Sequence, residues 1–263
     1  MEPAGGRVAF AYDRTRYHPP EVSGRIASAI TEPVERRFKD PHFLELGVGT
    51  GRIGLPVLAR GYRFTGVDID PGMLSVFRYK IAGVARKVRI VEADARDLPF
   101  PRGSFHGVIS VHLWHLLPDW QRALVEALRV LADGGYLFEG WEVSEEESED
   151  CRIQEKWREI LAEMGFELKR GRHQKRLAEV ERALVKLGLK PETELVAEWV
   201  EERTPRQSLE ALAERLYSYT RQVPPEVFAP AIKELFEWAS AEYGDLDKPY
   251  PLKWKFYLRR TEK

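Results

Sequence analysis

The sequence predicts an α/β fold of three layers, with a mostly parallel sheet of seven strands between helices, an antiparallel C-terminal strand and a helical cap insertion. Two observations carry this prediction. Between residues 42 and 141, short apolar runs alternate five times with amphipathic stretches, and strands separated by helices pair in parallel. Beyond residue 144 the alternation gives way to helix-period segments, and a period-two stretch returns only at the end of the chain. With 263 residues, 43% apolar and 32% charged, the chain can bury one large core with an inserted subdomain.

The elements follow in order. Residues 7–30 hold a polar, aromatic segment around Tyr12 and Arg16, then Val22, Ile26, Ala29 and Ile30 at near-helical spacing. This reads either as a solvated arm or as a lid over a site. His42-Phe43-Leu44-Glu45-Leu46 is the first strand, which stops at a carboxylate and breaks into Gly47, Gly49 and Gly51. Glycines there admit positive φ and leave no Cβ between the backbone and a ligand. The pattern suits a nucleotide-binding turn, and also an ordinary strand-to-helix turn. A helix over 51–60 should kink at Pro56 unless that residue falls in the first turn.

Arg63-Phe64-Thr65-Gly66-Val67-Asp68 is the second strand. An acid at its end is placed to accept both hydroxyls of a ribose, because two carboxylate oxygens match a vicinal diol. Asp70 is the better N-cap for the helix that opens at Pro71. The third strand, 88–92, leads into Asp94-Ala95, and the fourth, 106–111, ends at Ser110-Val111. A helix over 119–132, ended by Gly134-Gly135, precedes the fifth strand at 136–141. Helices follow with Ile153, Trp157, Ile160, Leu161 and Met164, then with Leu177, Val180, Leu184 and Leu187. A strand at 194–200, two more helical stretches and an alternating strand at 251–260 complete the chain. The expected organisation is a core at 1–143, a helical cap at 144–190, a core strand at 191–204, a second cap segment at 205–249 and a C-terminal core strand at 250–263.

Composition narrows the function. Lys+Arg (41) and Asp+Glu (42) nearly cancel, so no global field points to nucleic acid or an anionic membrane. No run of about 18 apolar residues and no signal-peptide pattern occur, which predicts a cytoplasmic protein without a membrane partner. Cys151 is the sole cysteine, leaving no internal disulfide or Cys-rich zinc site. There is no asparagine and only five glutamines, and such depletion of thermolabile amides predicts a thermophilic source.

Taken together, Glu45-Leu46-Gly47-Val48-Gly49-Thr50-Gly51-Arg52, Val67-Asp68-Ile69-Asp70-Pro71-Gly72-Met73-Leu74 and Ala93-Asp94-Ala95-Arg96-Asp97-Leu98-Pro99-Phe100 resemble the class I S-adenosylmethionine-dependent methyltransferases, of the small-molecule, type 11-like kind. Phe105-His106-Gly107-Val108-Ile109-Ser110 and Leu128-Arg129-Val130-Leu131-Ala132-Asp133-Gly134-Gly135 resemble the same family's fourth strand and the turn into its fifth. The resemblance covers roughly residues 8–141 and implies a Rossmann-like core with S-adenosyl-L-methionine as cofactor. It places Gly47 and Gly49 beside the methionine and ribose, with Glu45 in support and Asp68 on the diol. Met73 would pack on the adenine, Asp94 would accept from its amino group and the Ala95 N–H would donate to its ring. Ser110 would face the methionine part, and Tyr12 and Arg16 would belong to the N-terminal segment, with Arg16 on the carboxylate. The chemistry is consistent: adenine needs one acceptor and one donor at fixed positions, and a ligand without phosphates needs no anion cradle.

The resemblance implies in-line methyl transfer to a small-molecule acceptor. A base is optional, and His115, with His112 three residues earlier, is the candidate; a packing role is the alternative. The pair lacks a third ligand at metal-site spacing. Base methylation of nucleic acid is argued against, because the tetrapeptide position reads Ser110-Val111-His112-Leu113 and Cys151 is remote in sequence. An RNA or phosphate-bearing substrate stays open through the basic cluster Lys169, Arg170, Arg172, Lys175 and Arg176, with His173 within it, as does a non-catalytic S-adenosylmethionine-binding protein. Trp141, Trp157, Tyr217 and Tyr219 suit either a planar acceptor or the cap core. A NAD(P)-dependent oxidoreductase fits less well: Gly49, Gly51 and Gly54 have the dinucleotide spacing, but Asp68 and Asp70 fall too close to Gly54 and Asp94-Ala95 is left without a role.

Overall fold

The computed structural model describes residues 16–83, 87–168, 172–217 and 219–263. Helix α1 (Pro20–Glu35) precedes β1 (His42–Leu46), α2 (Gly54–Ala59), β2 (Arg63–Asp68), α3 (Pro71–Lys80) and β3 (Val88–Glu92). Then come β4 (Phe105–Val111), α4 (Trp120–Val130), β5 (Leu131–Ser144), α5 (Glu149–Glu163) and α6 (Arg172–Lys186). The chain ends with β6 (Pro191–Arg203), α7 (Pro205–Ala213), α8 (Pro225–Tyr243) and β7 (Tyr250–Glu262). The seven strands form one sheet in the order β3-β2-β1-β4-β5-β7-β6.

Strands β1 to β5 are parallel, and Leu46 pairs with both Val67 and Ser110. This register sets the ends of β1, β2 and β4 side by side, and the strand order reverses direction between β1 and β4, where open α/β sheets bind ligands. Strand β7 runs antiparallel to β5: Gly134 N–H donates to the Lys263 carbonyl at 2.9 Å and Glu145 N–H to Lys253 at 3.1 Å. Pairs Arg260–Glu192 and Lys255–Glu198 place β6 antiparallel to β7.

Local chemistry explains the element ends. The Asp70 carboxylate accepts from the Gly72 and Met73 N–H groups and caps α3. Pro56 is the third residue of α2, in the first turn, where a missing N–H costs nothing. Helix α4 stops at Val130 and β5 begins at Leu131, earlier than the glycine pair suggested. Leu131 already pairs with Phe105, and a Cβ on Gly135 would lie 2.8 Å from the His106 carbonyl oxygen. Gly135 therefore marks close backbone approach within the sheet instead of the end of a helix.

The described residues fall into two compact units, one within 1–141, 171–197 and 256–263, the other within 142–170 and 198–255. In the first, Leu44, Leu46, Val67, Val108 and Leu137 pack with Trp114, Trp120, Leu124 and Val130. Period-two alternation sends Phe43 and Phe64 to the opposite face, where α1 and α3 bury Ile26, Ile30 and Phe77. The second unit is helical around Trp157, which is fully buried with Ile153, Leu209, Val223 and Leu235. Its Asp150 is bound by Arg203, Ser208 and Gln154.

One helix departs from the expected scheme. Helix α6, grouped by sequence with the cap at 144–190, belongs to the first unit, because Val180 and Leu184 are fully buried in the cluster that holds Trp114 and Trp120. Helical periodicity reports an apolar stripe without reporting its partner. Among the described residues no helix is long and apolar enough to cross a membrane.

Candidate active site

The glycine turn leaves β1 with φ of +68° at Gly47, +54° at Gly49 and +87° at Gly51. Valine 48 N–H donates to the Val67 carbonyl and Gly51 N–H to the Val48 carbonyl, both at 2.9 Å. A Cβ on Gly51 would come within 2.3 Å of the Phe77 ring, whereas one on Gly49 would meet nothing within 4 Å. The turn is thus packed behind and open in front, a cradle for a ligand that approaches the backbone.

Asp68 is tied to that cradle. Its Oδ2 accepts from Gly49 N–H at 2.8 Å and its Oδ1 from Asp70 N–H at 2.9 Å. Burial raises its pKa, while those two backbone donors pull it back. Each oxygen keeps a lone pair for a further donor. Next to it Ile69 is 65% exposed, an apolar side chain that sequence reasoning passed over although it adjoins Asp68, and Met73 is half-buried.

Two buried polar atoms at the strand ends have no hydrogen-bond partner among the described residues: Glu45 Oε2 and Ser110 Oγ. A buried polar atom without a partner is costly; Ser110 shares the face of its register partner Leu46, whereas Glu45 lies on the other face, its Oε2 2.9 Å from where a Gly54 Cβ would be. Burial pushes the Glu45 carboxyl well above the ordinary glutamate range, with Arg52 opposing and Asp68 adding to the rise. The folded state therefore holds the Glu45 proton more tightly than the unfolded chain does. The stability this contributes is complete below the unfolded pKa and is lost as pH rises through the folded one, by roughly 1.4 kcal/mol per unit crossed. Thermal unfolding of Glu45→Gln should gain on the natural protein between pH 5 and pH 8; parallel curves would contradict this environment.

Asp94 differs from its expected state. Its two oxygens accept a fork from Arg96, with Nε at 2.9 Å and Nη2 at 2.6 Å, plus the Arg96 N–H at 2.8 Å. The Arg96 hydrogen bonds hold the Asp94 carboxyl below the usual range. An adenine amino group would have to share these oxygens with Arg96 or displace its side chain. Ala95, beside it, is buried.

Past Ser110 the chain makes a strained corner. His112 has φ +52°, a left-handed conformation that a residue with a Cβ adopts at a cost and that concentrates at functional sites. Leu113 reaches the glycine turn, its Cδ1 lying 3.0 Å from where a Gly47 Cβ would be. Trp114 is buried in the core and opens a 3₁₀ turn, Trp114–Leu116, that carries His115. His115 Nδ1 lies 3.0 Å from His173 Nδ1 on α6, and the His112 and His173 rings are 5.2 Å apart. Sequence reasoning treated His173 only as part of the basic cluster, since 58 residues separate it from His115 and no spacing rule joins them. Among the described residues no group of three or more His, Cys, Asp or Glu is arranged to hold a metal ion.

Helix α6 is fixed by β7. Arg259, 1% exposed, donates to both Glu139 oxygens at 2.7 and 2.9 Å, to Glu181 at 3.0 Å and to the Leu177 carbonyl at 2.9 Å. Glu139 pairs across the sheet with Ser110, so this ionic cluster joins α6 to the strand beside the site.

Of the expected site residues, Glu45, Gly47, Gly49, Asp68 and Ser110 gather at adjoining ends of β1, β2 and β4, with Met73, Asp94 and Ala95 just beyond β2 and β3. Tyr12 lies outside the described residues, and Arg16 is the first of them, half-buried. In the basic cluster, Lys169 and Arg170 lie outside the described residues. Arg176 pairs with Glu179 and covers the Trp120 ring. Trp157 is core, and Tyr217 stacks on Tyr219.

Residues 44–138 match the family model described as a methyltransferase domain. Over 96 residues the chain is 41% identical to a demethylmenaquinone methyltransferase of Thermus thermophilus, covering 36% of this chain and 44% of that protein. It is 39% identical over 100 residues to a fatty-acid O-methyltransferase of Mycolicibacterium smegmatis, covering 36% of this chain and 35% of the other. The aligned stretch spans less than half the length of these curated relatives. The structure of the YcgJ protein from Bacillus subtilis superposes with a TM-score of 0.55 at 19% identity, covering 91% of this chain and 97% of that one, a likeness of fold.

Proposed function

We propose that this chain, whose residues 44–138 match a methyltransferase-domain family model, is a class I methyltransferase that moves a methyl group from S-adenosylmethionine to a small-molecule O, N or C acceptor. The observation that carries the proposal is the open glycine cradle with Asp68 bonded to Gly49 N–H, beside the buried and unpartnered Ser110 Oγ. When bound, the cofactor supplies an electrophilic methyl group on a sulfonium.

The chain's own residues bind and orient. Asp68 accepts from the ribose hydroxyls, Ile69 and Met73 cover the adenine, and Asp94 with the Ala95 N–H reads its edge. Glu45 supports the site, Ser110 faces the methionine part, and Tyr12 and Arg16 belong to the N-terminal segment, with Arg16 on the carboxylate. Orientation of two reactants in this way can supply roughly 7–11 kcal/mol of a barrier. His115 is assigned as the base for acceptors that must lose a proton, a contribution of about 10²–10⁴-fold.

A quinol or fatty-acid-like acceptor is favoured over RNA, because the names of the relatives point to apolar small molecules and Arg176 is engaged within its own helix. The division into a core and a helical cap belongs to this proposal, with acceptor choice assigned to the helical segments. So do a cytoplasmic location and a heat-adapted source, supported by the amide-poor composition. The test is transfer of label from methyl-tritiated S-adenosylmethionine to a panel of quinols, fatty acids, amines and RNA. Transfer to a small molecule supports the reading; transfer to RNA alone, or to none while the cofactor binds, overturns it.

A further inference from the structure

Two imidazoles that meet Nδ1 to Nδ1 at 3.0 Å impose a rule on their protons. One nitrogen must carry the hydrogen and the other must present its lone pair. The pair cannot hold two imidazolium charges in this geometry, and when both rings are neutral the polarity of this one bond couples their tautomers.

From this we infer that His173 is a positioning residue for His115: it accepts the His115 Nδ1–H and thereby leaves His115 Nε2 bare as the proton acceptor for the methyl acceptor. The inference rests on the methyltransferase reading above. With the opposite polarity, His115 Nε2 would carry the hydrogen and could not act as a base. The arrangement has the logic of a base oriented by a third group, with an imidazole where a carboxylate commonly stands.

Three further observations support the assignment. His115 follows the corner at His112 and sits two residues after Leu113, which touches the glycine turn. Trp114, buried in the core, anchors the turn that carries His115. His173 is held from the other side, because Arg259 binds α6 through Glu181 and the Leu177 carbonyl and is itself clamped by Glu139. His112 is the third ring of the group, 5.2 Å from His173 and 6.5 Å from His115. Arg176 also lies on α6, near the Trp120 ring, with Glu179 as its counter-ion.

The chemical step balances. As the acceptor heteroatom bonds to the methyl carbon, the carbon–sulfur electron pair returns to sulfur and the acceptor's proton passes to His115 Nε2. His115 then carries both ring hydrogens, and its Nδ1–H stays bonded to the His173 lone pair, which disperses the new charge.

The test reads the tautomers directly. Nitrogen-15 spectra of the imidazoles in the 263-residue chain, assigned by single substitutions, should show His115 protonated at Nδ1 and His173 unprotonated at Nδ1. In His173→Leu, His115 should shift to the Nε2–H form. In His173→Asn, whose amide oxygen can accept, the Nδ1–H form should be retained at least in part. Calorimetry on the same variants should show unchanged S-adenosylmethionine affinity, and loss of cofactor binding by the natural protein would break the underlying reading independently. The inference is overturned if His115 carries Nε2–H in the natural protein, if His173→Leu leaves its tautomer unmoved, or if the purified protein holds a stoichiometric metal on these rings.

Discussion

Arg259→Met should destabilise the protein by about 3–5 kcal/mol, because it leaves a buried carboxylate without its counter-ion. Arg259 and Glu139 have side chains only 2% and 1% exposed, so water cannot replace the lost bonds. The same change frees the Leu177 carbonyl and Glu181, and with them α6 loses its tie to β7. The deficit should depend on pH. Burial already raises the Glu139 pKa, and Arg259 is the main influence lowering it. Without Arg259 the folded-state pKa rises further, and stability is lost as pH rises through that range. Urea unfolding should therefore show a larger deficit at pH 8 than at pH 5. Adding Glu139→Gln should recover part of it, since removing both charges is far less damaging than removing one. A single-variant loss below about 1 kcal/mol would contradict the buried clamp.

Gly51→Ala should cost about 2–5 kcal/mol, from a left-handed backbone that disfavours a Cβ and from overpacking. The added carbon would lie 2.3 Å from the Phe77 ring. That ring is fully buried and packs edge-on against Phe64, so it has little room to yield. Gly49→Ala provides the contrast, because its Cβ would enter open space and meet only the cost of positive φ. Chemical unfolding of the two variants should rank them in that order, and equal losses would remove the distinction between a packed back and an open front.

The sheet and the glycine site were legible because local signals agree there. Apolar runs, carboxylates at the ends of β1 and β2 and glycines at forced dihedrals all lie within a few residues of what they specify. Asp70 as N-cap was readable for the same reason, whereas the place of Pro56 in the first turn depended on the helix starting at Gly54 and not at Gly51. What remained hidden depends on contacts distant in sequence. The allegiance of α6 is decided by Val180 and Leu184 meeting Trp114 and Trp120, and periodicity cannot name a partner. The His115–His173 contact and the Arg259 clamp join residues separated by 58 and by 120 positions. The Asp94–Arg96 fork is local, yet Arg96 read as one charge among many, since sequence does not report which way an arginine turns.

The most direct measurement of the central claim is calorimetric titration of S-adenosylmethionine into the natural protein and into Asp68→Ala. Each charge-assisted hydrogen bond to a ribose hydroxyl is worth about 1.5–3 kcal/mol, so losing two should weaken binding by roughly 10²-fold or more. Saturable binding by the natural protein, severely weakened in Asp68→Ala with the fold intact by circular dichroism, is the expected result. Undiminished binding in the variant would contradict the ribose assignment, and no binding by the natural protein would contradict the account as a whole.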